Sequence, residues 1–157
     1  MDGWVLVDSD LGVFAVGGSE EAVSRVLLPS DLSAPLRSQL MGISAPPLVV
    51  EAGRQIVEFL GGEREQFELA LERQETTEIR AAFYRVIDSI GYGDVLTYGE
   101  VALEAGVPRA ARAVGTACGA NPIPLLRPCH RVVASDGIGG YGGGVDLKIA
   151  LLGLEQR

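Results

Sequence analysis

Thr97-Tyr98-Gly99-Glu100-Val101-Ala102-Leu103-Glu104-Ala105-Gly106-Val107-Pro108-Arg109-Ala110-Ala111-Arg112-Ala113-Val114-Gly115-Thr116-Ala117-Cys118-Gly119 is the stretch on which the reading of the fold turns. Thr97 and Glu100 have the spacing of a capping box, in which hydroxyl and carboxylate each satisfy an amide that the first helical turn leaves without a partner. A short helix to Ala105 follows from it. Gly106-Val107 turns the chain, and Pro108 suits the first position of a second helix, where a missing amide hydrogen costs nothing. That helix runs from Arg109 to Gly119. Two short helices joined by a tight glycine turn have the layout of a helix-turn-helix, whose second helix enters a nucleic-acid groove. The layout alone is a weak signal, since helical hairpins also form for packing.

The composition of the second helix sharpens it. Ala110, Ala111, Ala113, Gly115 and Ala117 leave little side-chain bulk, and Arg112 stands out among them. Small residues let a backbone come close to a partner, and one long arginine can then probe between bases. Close packing against a neighbouring helix would explain the alanines but not the arginine. Cys118 reads more simply as a small apolar filler than as a nucleophile.

Charge points the same way. The chain has 157 residues and a formal charge of −8, which at first speaks against a polyanionic partner. Residues 1–104 sum to −11, whereas residues 105–135 carry Arg109, Arg112, Arg127 and Arg131 with no acid at all. Local field steers a polyanion more than net charge does.

Downstream, Leu125-Leu126-Arg127-Pro128-Cys129-His130-Arg131-Val132-Val133 joins one of two cysteines to the single histidine. A thiol attacks only as thiolate, and imidazole titrates close enough to neutrality to take its proton. Asn121-Pro122-Ile123-Pro124 is a rigid connector that presents Cys129, with Asn121 read either as a turn organiser or as a contact. Residues 135–144 hold six glycines around Tyr141, a loop whose backbone can approach a ligand. It lacks the Lys-Ser/Thr of a phosphate-binding loop. The last helix, Val145 to Leu154, shows Leu147, Ala150, Leu151 and Leu154 as its core face and delivers Glu155 near the terminus.

The N-terminal part offers no chemistry. Gly3 to Val7, Leu11 to Val16 and Val23 to Leu28 read as a β-meander turning at Asp8-Ser9-Asp10. Pro29 to Pro47 reads as a loop, with or without a short helix. Val49, Ala52, Ile56, Val57 and Leu60 give a helix stopped by Gly61-Gly62, and Phe67, Leu69 and Leu71 alternate as one more strand. Thr77 to Ile90 repeats apolar residues at three and four. The boundary between two domains, 1–75 and 76–157, is placed at this change of character. No apolar run approaches the roughly 18 residues of a membrane span, and there is no signal-peptide layout at the start. A soluble, cytoplasmic protein is expected. One histidine and two cysteines cannot make a four-ligand zinc site of these residue types, so no metal is expected.

Taken together, Tyr98, the Arg109 to Gly119 helix, Asn121-Pro122, Pro128-Cys129-His130-Arg131-Val132 and Gly139-Gly140-Tyr141 resemble the methylated-DNA–protein-cysteine methyltransferases, the O6-alkylguanine-DNA alkyltransferases. Several separated motifs fall in the family's order at near-identical spacing over residues 76–155. The N-terminal meander and helix are compatible with the family's ribonuclease-H-like first domain. The resemblance implies an α+β chain ending in a winged-helix-like helix-turn-helix domain, and repair of DNA by single-turnover transfer of an alkyl group from O6-alkylguanine to Cys129, with O4-alkylthymine left open as a second lesion.

It further implies His130 as water-mediated base, Glu155 as the carboxylate orienting it, and Asn121 as brace. Tyr98 and Arg112 would extrude the nucleotide and fill its place. Arg109, Ala110, Ala111, Gly115 and Arg131 would face DNA, and Tyr98, Cys118, Val132, Tyr141 and Gly142 would line the base pocket. No cofactor is implied, and the partner is double-stranded DNA carrying alkylated bases, met by a monomer. Four departures stand out: Gly142 sits where the family often has serine, Arg127 where it usually has an apolar residue, Gly91 where proline is common, and the glycine loop is one residue short. The competing readings are an alkyltransferase-like protein that binds lesions without transfer, and a Cys-His hydrolase, for which no oxyanion-hole motif is evident.

Overall fold

A computed structural model describes residues 3–156. The chain divides into two compact units, Met1–Arg73 and Gln74–Arg157.

The first unit is built on an antiparallel meander of β1 (Gly3–Ser9), β2 (Gly12–Gly18) and β3 (Val23–Leu27), in that order across the sheet. The hairpin turn is shorter than the Asp8-Ser9-Asp10 reading. Ser9 Oγ donates to the Gly12 carbonyl at 2.8 Å and accepts the Leu11 amide at 3.2 Å, so pairing continues to Ser9 opposite Gly12. A 3-10 turn at Pro29–Asp31 precedes α1 (Ala34–Met41), capped by Ser33, whose Oγ accepts the Leu36 amide. α2 (Pro47–Leu60) packs on β1 and β2 and buries Val49, Ala52, Ile56 and Phe59, while Val57 is half exposed and lies off the core stripe. Each such buried side chain contributes roughly 1.5–3 kcal/mol. The strand expected at Phe67 to Leu71 does not form; only an isolated bridge joins Val23 and Leu71. The Gln55 side chain takes both the amide (2.9 Å) and the carbonyl (3.3 Å) of Glu68, groups a neighbouring strand would otherwise have needed.

In the second unit α3 (Glu78–Asp88) is capped by Thr77. It ends before Ile90, where Ser89 turns its hydroxyl back onto the Val86 carbonyl. β4 (Leu96–Thr97) pairs in parallel with β5 (Val132–Val133). The capping box is present, with Glu100 N donating to Thr97 Oγ1 at 3.1 Å and Thr97 N donating to Glu100 Oε1 at 2.8 Å, and it starts α4 (Tyr98–Glu104). Gly106 makes the turn at φ +87° with open space around it, so backbone conformation rather than crowding calls for glycine there. α5 spans Ala111–Gly119. Pro108 and Arg109 therefore lie in the turn before it instead of in its first turn.

α4 and α5 pack on α3 through Phe83, Ile87, Val101, Val114 and Ala117, and Val132 joins this core from β5. α6 (Val145–Leu154) buries Leu151 and Leu154 as its spacing predicts, but also Lys148, while Leu147 and Ala150 are only half buried. Among the described residues no helix is long and apolar enough to cross a membrane.

Candidate functional site

Cys129 opens a 3-10 turn, Cys129–Arg131, that leads directly into β5. β5 is held at Val132 by the core and by Leu96, so the turn is fixed at its far end by packing. Its near end is fixed by Asn121. The Asn121 Nδ2 donates to the Arg127 carbonyl at 3.0 Å and to Cys129 Sγ at 3.2 Å, while its Oδ1 accepts the Ile123 amide at 3.1 Å. Of the two readings of Asn121, organiser and contact, these bonds show the organiser.

Cys129 is 4% exposed. Burial pushes its thiol above the ordinary value, and the Asn121 hydrogen bond and the positive charge of Lys148 pull the other way. At rest the group is a thiol, so attack on an electrophile has to be accompanied by proton loss.

The next residue is a buried imidazole. His130 is fully buried, and its Nε2 lies 2.7 Å from Glu155 Oε2. An ionised carboxylate only accepts, so Nε2 carries the hydrogen and the lone pair of the neutral ring is on Nδ1. Burial holds the imidazole below its usual value despite the raising effect of Glu155. Such a ring starts neutral. Glu155, itself 5% exposed, receives four donors. Oε1 accepts Arg131 Nε at 2.8 Å and the Gly93 amide at 3.1 Å; Oε2 accepts His130 Nε2 and Arg131 Nη2, the latter at 2.9 Å. Burial alone would raise its carboxyl, but the bonds from His130 and Arg131 prevail and hold it at about 2.

Arg131 corrects the sequence reading. It was expected at a DNA surface, yet it is buried, gives its fork to Glu155 and donates Nη1 to the Ile90 carbonyl at 2.7 Å. The bonds it makes there are charge-assisted and forked, which are shorter and stronger than neutral ones. Arg127, for which a phosphate contact was one reading, also turns inward, pairing with Asp88 at 3.0 Å with its side chain only 14% exposed.

The remaining predicted residues divide into two groups. Arg112, Ala111, Gly115 and Thr116 line an open cavity of about 500 Å³ together with Tyr98. Arg112, Ala111 and Arg109 are exposed. Ala110, in contrast, is partly buried against the core with Cys118. Helix packing thus accounts for Ala110, Ala117 and Cys118, but leaves a small-residue outer face bearing the exposed side chain of Arg112.

On the pocket side, Tyr98 donates its hydroxyl to the Gly140 carbonyl at 3.3 Å. Gly139 lies under its ring: a Cβ there would stand 2.9 Å from Tyr98, and φ is +79°. Gly142 is exposed and Tyr141 half buried. The Val132 side chain belongs to the core, so its contribution to a pocket is limited to backbone. Burial and the neighbouring Cys129 push the Cys118 thiol up to about 12, which fits a wall and not a nucleophile.

Lys148 is the residue that sequence reasoning missed. Its ammonium is buried and donates to the Val132 carbonyl at 2.6 Å and the Gly140 carbonyl at 3.0 Å, 5.7 Å from the Tyr98 ring centre. It ties the glycine loop to the strand that follows Cys129. Lys148, Leu151 and Glu155 fall three and four apart on α6, so a lysine on the stripe that also carries Glu155 was the available signal.

Known proteins are similar to this chain over nearly all of its length. Residues 78–157 match the family described as "6-O-methylguanine DNA methyltransferase, DNA binding domain". The chain is 36% identical over 152 residues to a methylated-DNA–protein-cysteine methyltransferase of Mycolicibacterium paratuberculosis, covering 96% of this chain and 90% of that protein. It is 34% identical to the one of Methanosarcina barkeri, covering 97% and 96%. Among solved structures it is similar to an O6-methylguanine methyltransferase of Mycobacterium tuberculosis, with a TM-score of 0.84, 33% identity and coverage of 99% and 93%. It is equally similar to the Mycobacterium tuberculosis OGT in complex with DNA, with a TM-score of 0.85, 33% identity and coverage of 98% and 92%. The chain belongs to the methylated-DNA–protein-cysteine methyltransferase family.

Proposed function

We propose that this protein repairs DNA by moving an alkyl group from O6-alkylguanine in a duplex onto Cys129, once per molecule. The observation that carries the reading is the buried line from Glu155 to His130 beside a thiol that Asn121 holds by its sulfur. Lesion binding without transfer needs none of these groups.

The chemistry follows from their states. The alkylated base leaves the stack at a cost of a few kcal/mol, offset by Arg112 entering the vacated space and by contacts to the pocket at Tyr98 and the glycine loop. The Cys129 sulfur attacks the alkyl carbon, forming an S–C bond as the C–O6 bond breaks. The thiol proton passes by way of water to His130, where Glu155 stabilises the imidazolium. The electron pair of the broken bond stays on guanine, which takes up a proton as it leaves. The product is a thioether, which offers water no carbonyl to attack. Arg109, Ala111 and Gly115 belong to the surface that meets the DNA backbone, and the protein acts as a monomer.

The test is the time course of methyl loss from a duplex carrying O6-methylguanine. A burst equal to the amount of protein, followed by no turnover, is the expected result. Tight binding with no methyl loss would favour the lesion-binding reading, and continued turnover would exclude a thioether end product.

A further inference from the structure

The Arg127 guanidinium is held on two sides. Its Nε donates to Asp88 Oδ1 at 3.0 Å and its Nη2 to Asp88 Oδ2 at 3.4 Å, a two-point grip of the kind that fixes orientation as well as distance. Its carbon centre lies 4.2 Å from the middle of the Tyr84 ring, and that ring is fixed in turn by its hydroxyl, which donates to the Ala117 carbonyl at 2.8 Å. Asp88 and Tyr84 both belong to α3, and Ala117 to α5. The side chain of Arg127 is therefore anchored to the helical core.

The backbone of the same residue carries the nucleophile. The Arg127 carbonyl accepts the Cys129 amide at 2.8 Å and the Asn121 Nδ2 at 3.0 Å, and the same Nδ2 reaches Cys129 Sγ. Two residues upstream, Leu125 sits at φ +73°, alone in the left-handed region among the described non-glycine residues. Backbone of that kind costs of order 1–3 kcal/mol and persists where the surroundings over-determine it. Arg127, bonded through its amide to Ile123 and through its side chain to α3, closes that strained turn.

We propose that Arg127, gripped by Asp88 and stacked on Tyr84, is a positioning residue: it fixes the carbonyl shared by Asn121 and Cys129 and thereby sets the place of the reacting sulfur. The proposal rests on Cys129 being the acceptor. It assigns a use to an arginine at a position where the family that the sequence resembles usually has an apolar residue. An apolar side chain could fill the space but could not make the grip on Asp88. A lysine could supply the charge but lacks the planar fork that both grips and stacks.

The experiment follows Cys129 alkylation by iodoacetamide across pH, read at the Cys129 peptide by mass, in the wild type and in Arg127→Leu, Arg127→Lys, Asp88→Asn and the Arg127→Leu/Asp88→Asn double variant, with Tm measured for each. A displaced sulfur loses the Asn121 hydrogen bond that favours its thiolate, and a tenfold smaller thiolate fraction reacts about tenfold more slowly. About tenfold slower alkylation is expected in both single variants, with the pH midpoint displaced upward, no further loss in the double variant, and incomplete rescue by lysine. If Arg127 acted only through its charge, Asp88→Asn would speed alkylation while Arg127→Leu slowed it. That outcome overturns the proposal, as do losses that add in the double variant, or a lowered Tm with an unchanged pH profile. Iodoacetamide needs no DNA, so absence of methyl transfer in the wild type would sink the repair reading while leaving this test legible.

Discussion

Glu155 Oε2 lies 2.7 Å from His130 Nε2, and the same carboxylate binds the fork of Arg131. One buried anion thus sets the tautomer of the imidazole and neutralises a buried cation.

Removing that charge has two effects. In Glu155→Gln the guanidinium of Arg131 remains buried without its counter-ion, a situation that costs about 3–5 kcal/mol. The amide also cannot stabilise an imidazolium as a carboxylate does. A lower Tm and a large loss of transfer rate are expected together, read by thermal melting and by methyl loss from duplex substrate. Unchanged transfer in a folded variant would remove Glu155 from the chemistry.

Acid should unfold the protein through the same pair. The folded carboxyl of Glu155 is held at about 2, against an ordinary 4.5. The unfolded state therefore binds the proton first, and stability present above pH 4.5 is lost as pH falls from there towards 2. His130, held below its ordinary 6.5, acts in the same direction: its contribution is present above pH 6.5 and declines as pH falls below that. Stability measured by denaturant melts from pH 7 to pH 3 should fall in two stages, and Glu155→Gln should lose the lower stage. A flat profile in the wild type would contradict the account.

The Lys148 ammonium joins the Gly140 carbonyl to the Val132 carbonyl and lowers the Cys129 thiol by its charge. Lys148→Met keeps the volume but frees the glycine loop. Slower Cys129 alkylation with its pH midpoint raised is expected, together with greater hydrogen exchange at residues 137–144. No change in exchange would show that the loop holds itself.

Arg112 is exposed on the small-residue face of α5 and lines the open cavity with Tyr98. If it replaces an extruded base, Arg112→Ala should slow repair of a duplex far more than reaction with free O6-alkylguanine. Equal loss on both substrates would refute that role.

How much of this was legible in sequence depends on whether a signal was local. The capping box of Thr97 and Glu100 and the glycine turn at Gly106 are read within a few residues, and they stand as read; the Cys129-His130 pair is as local, and both side chains are buried in one 3-10 turn. That His130 meets Glu155, 25 residues on, is a tertiary fact for which adjacency in sequence gives no rule. Arg131, expected at a DNA surface, and Lys148, not singled out at all, share one cause: both are charged, and isolated burial of a charge is costly. Here Glu155 and two backbone carbonyls supply the partners that make burial tolerable. Phe67 to Leu71 alternated like a strand, yet the Gln55 side chain claimed the backbone of Glu68.

The most direct test of the central claim is the mass of the protein after incubation with duplex DNA carrying O6-methylguanine, with the modified peptide then located. The account predicts a gain of one methyl group per molecule on Cys129, absent in Cys129→Ser. A methyl group found on Cys118 or any other residue, or an unchanged mass while the lesion disappears, would contradict it.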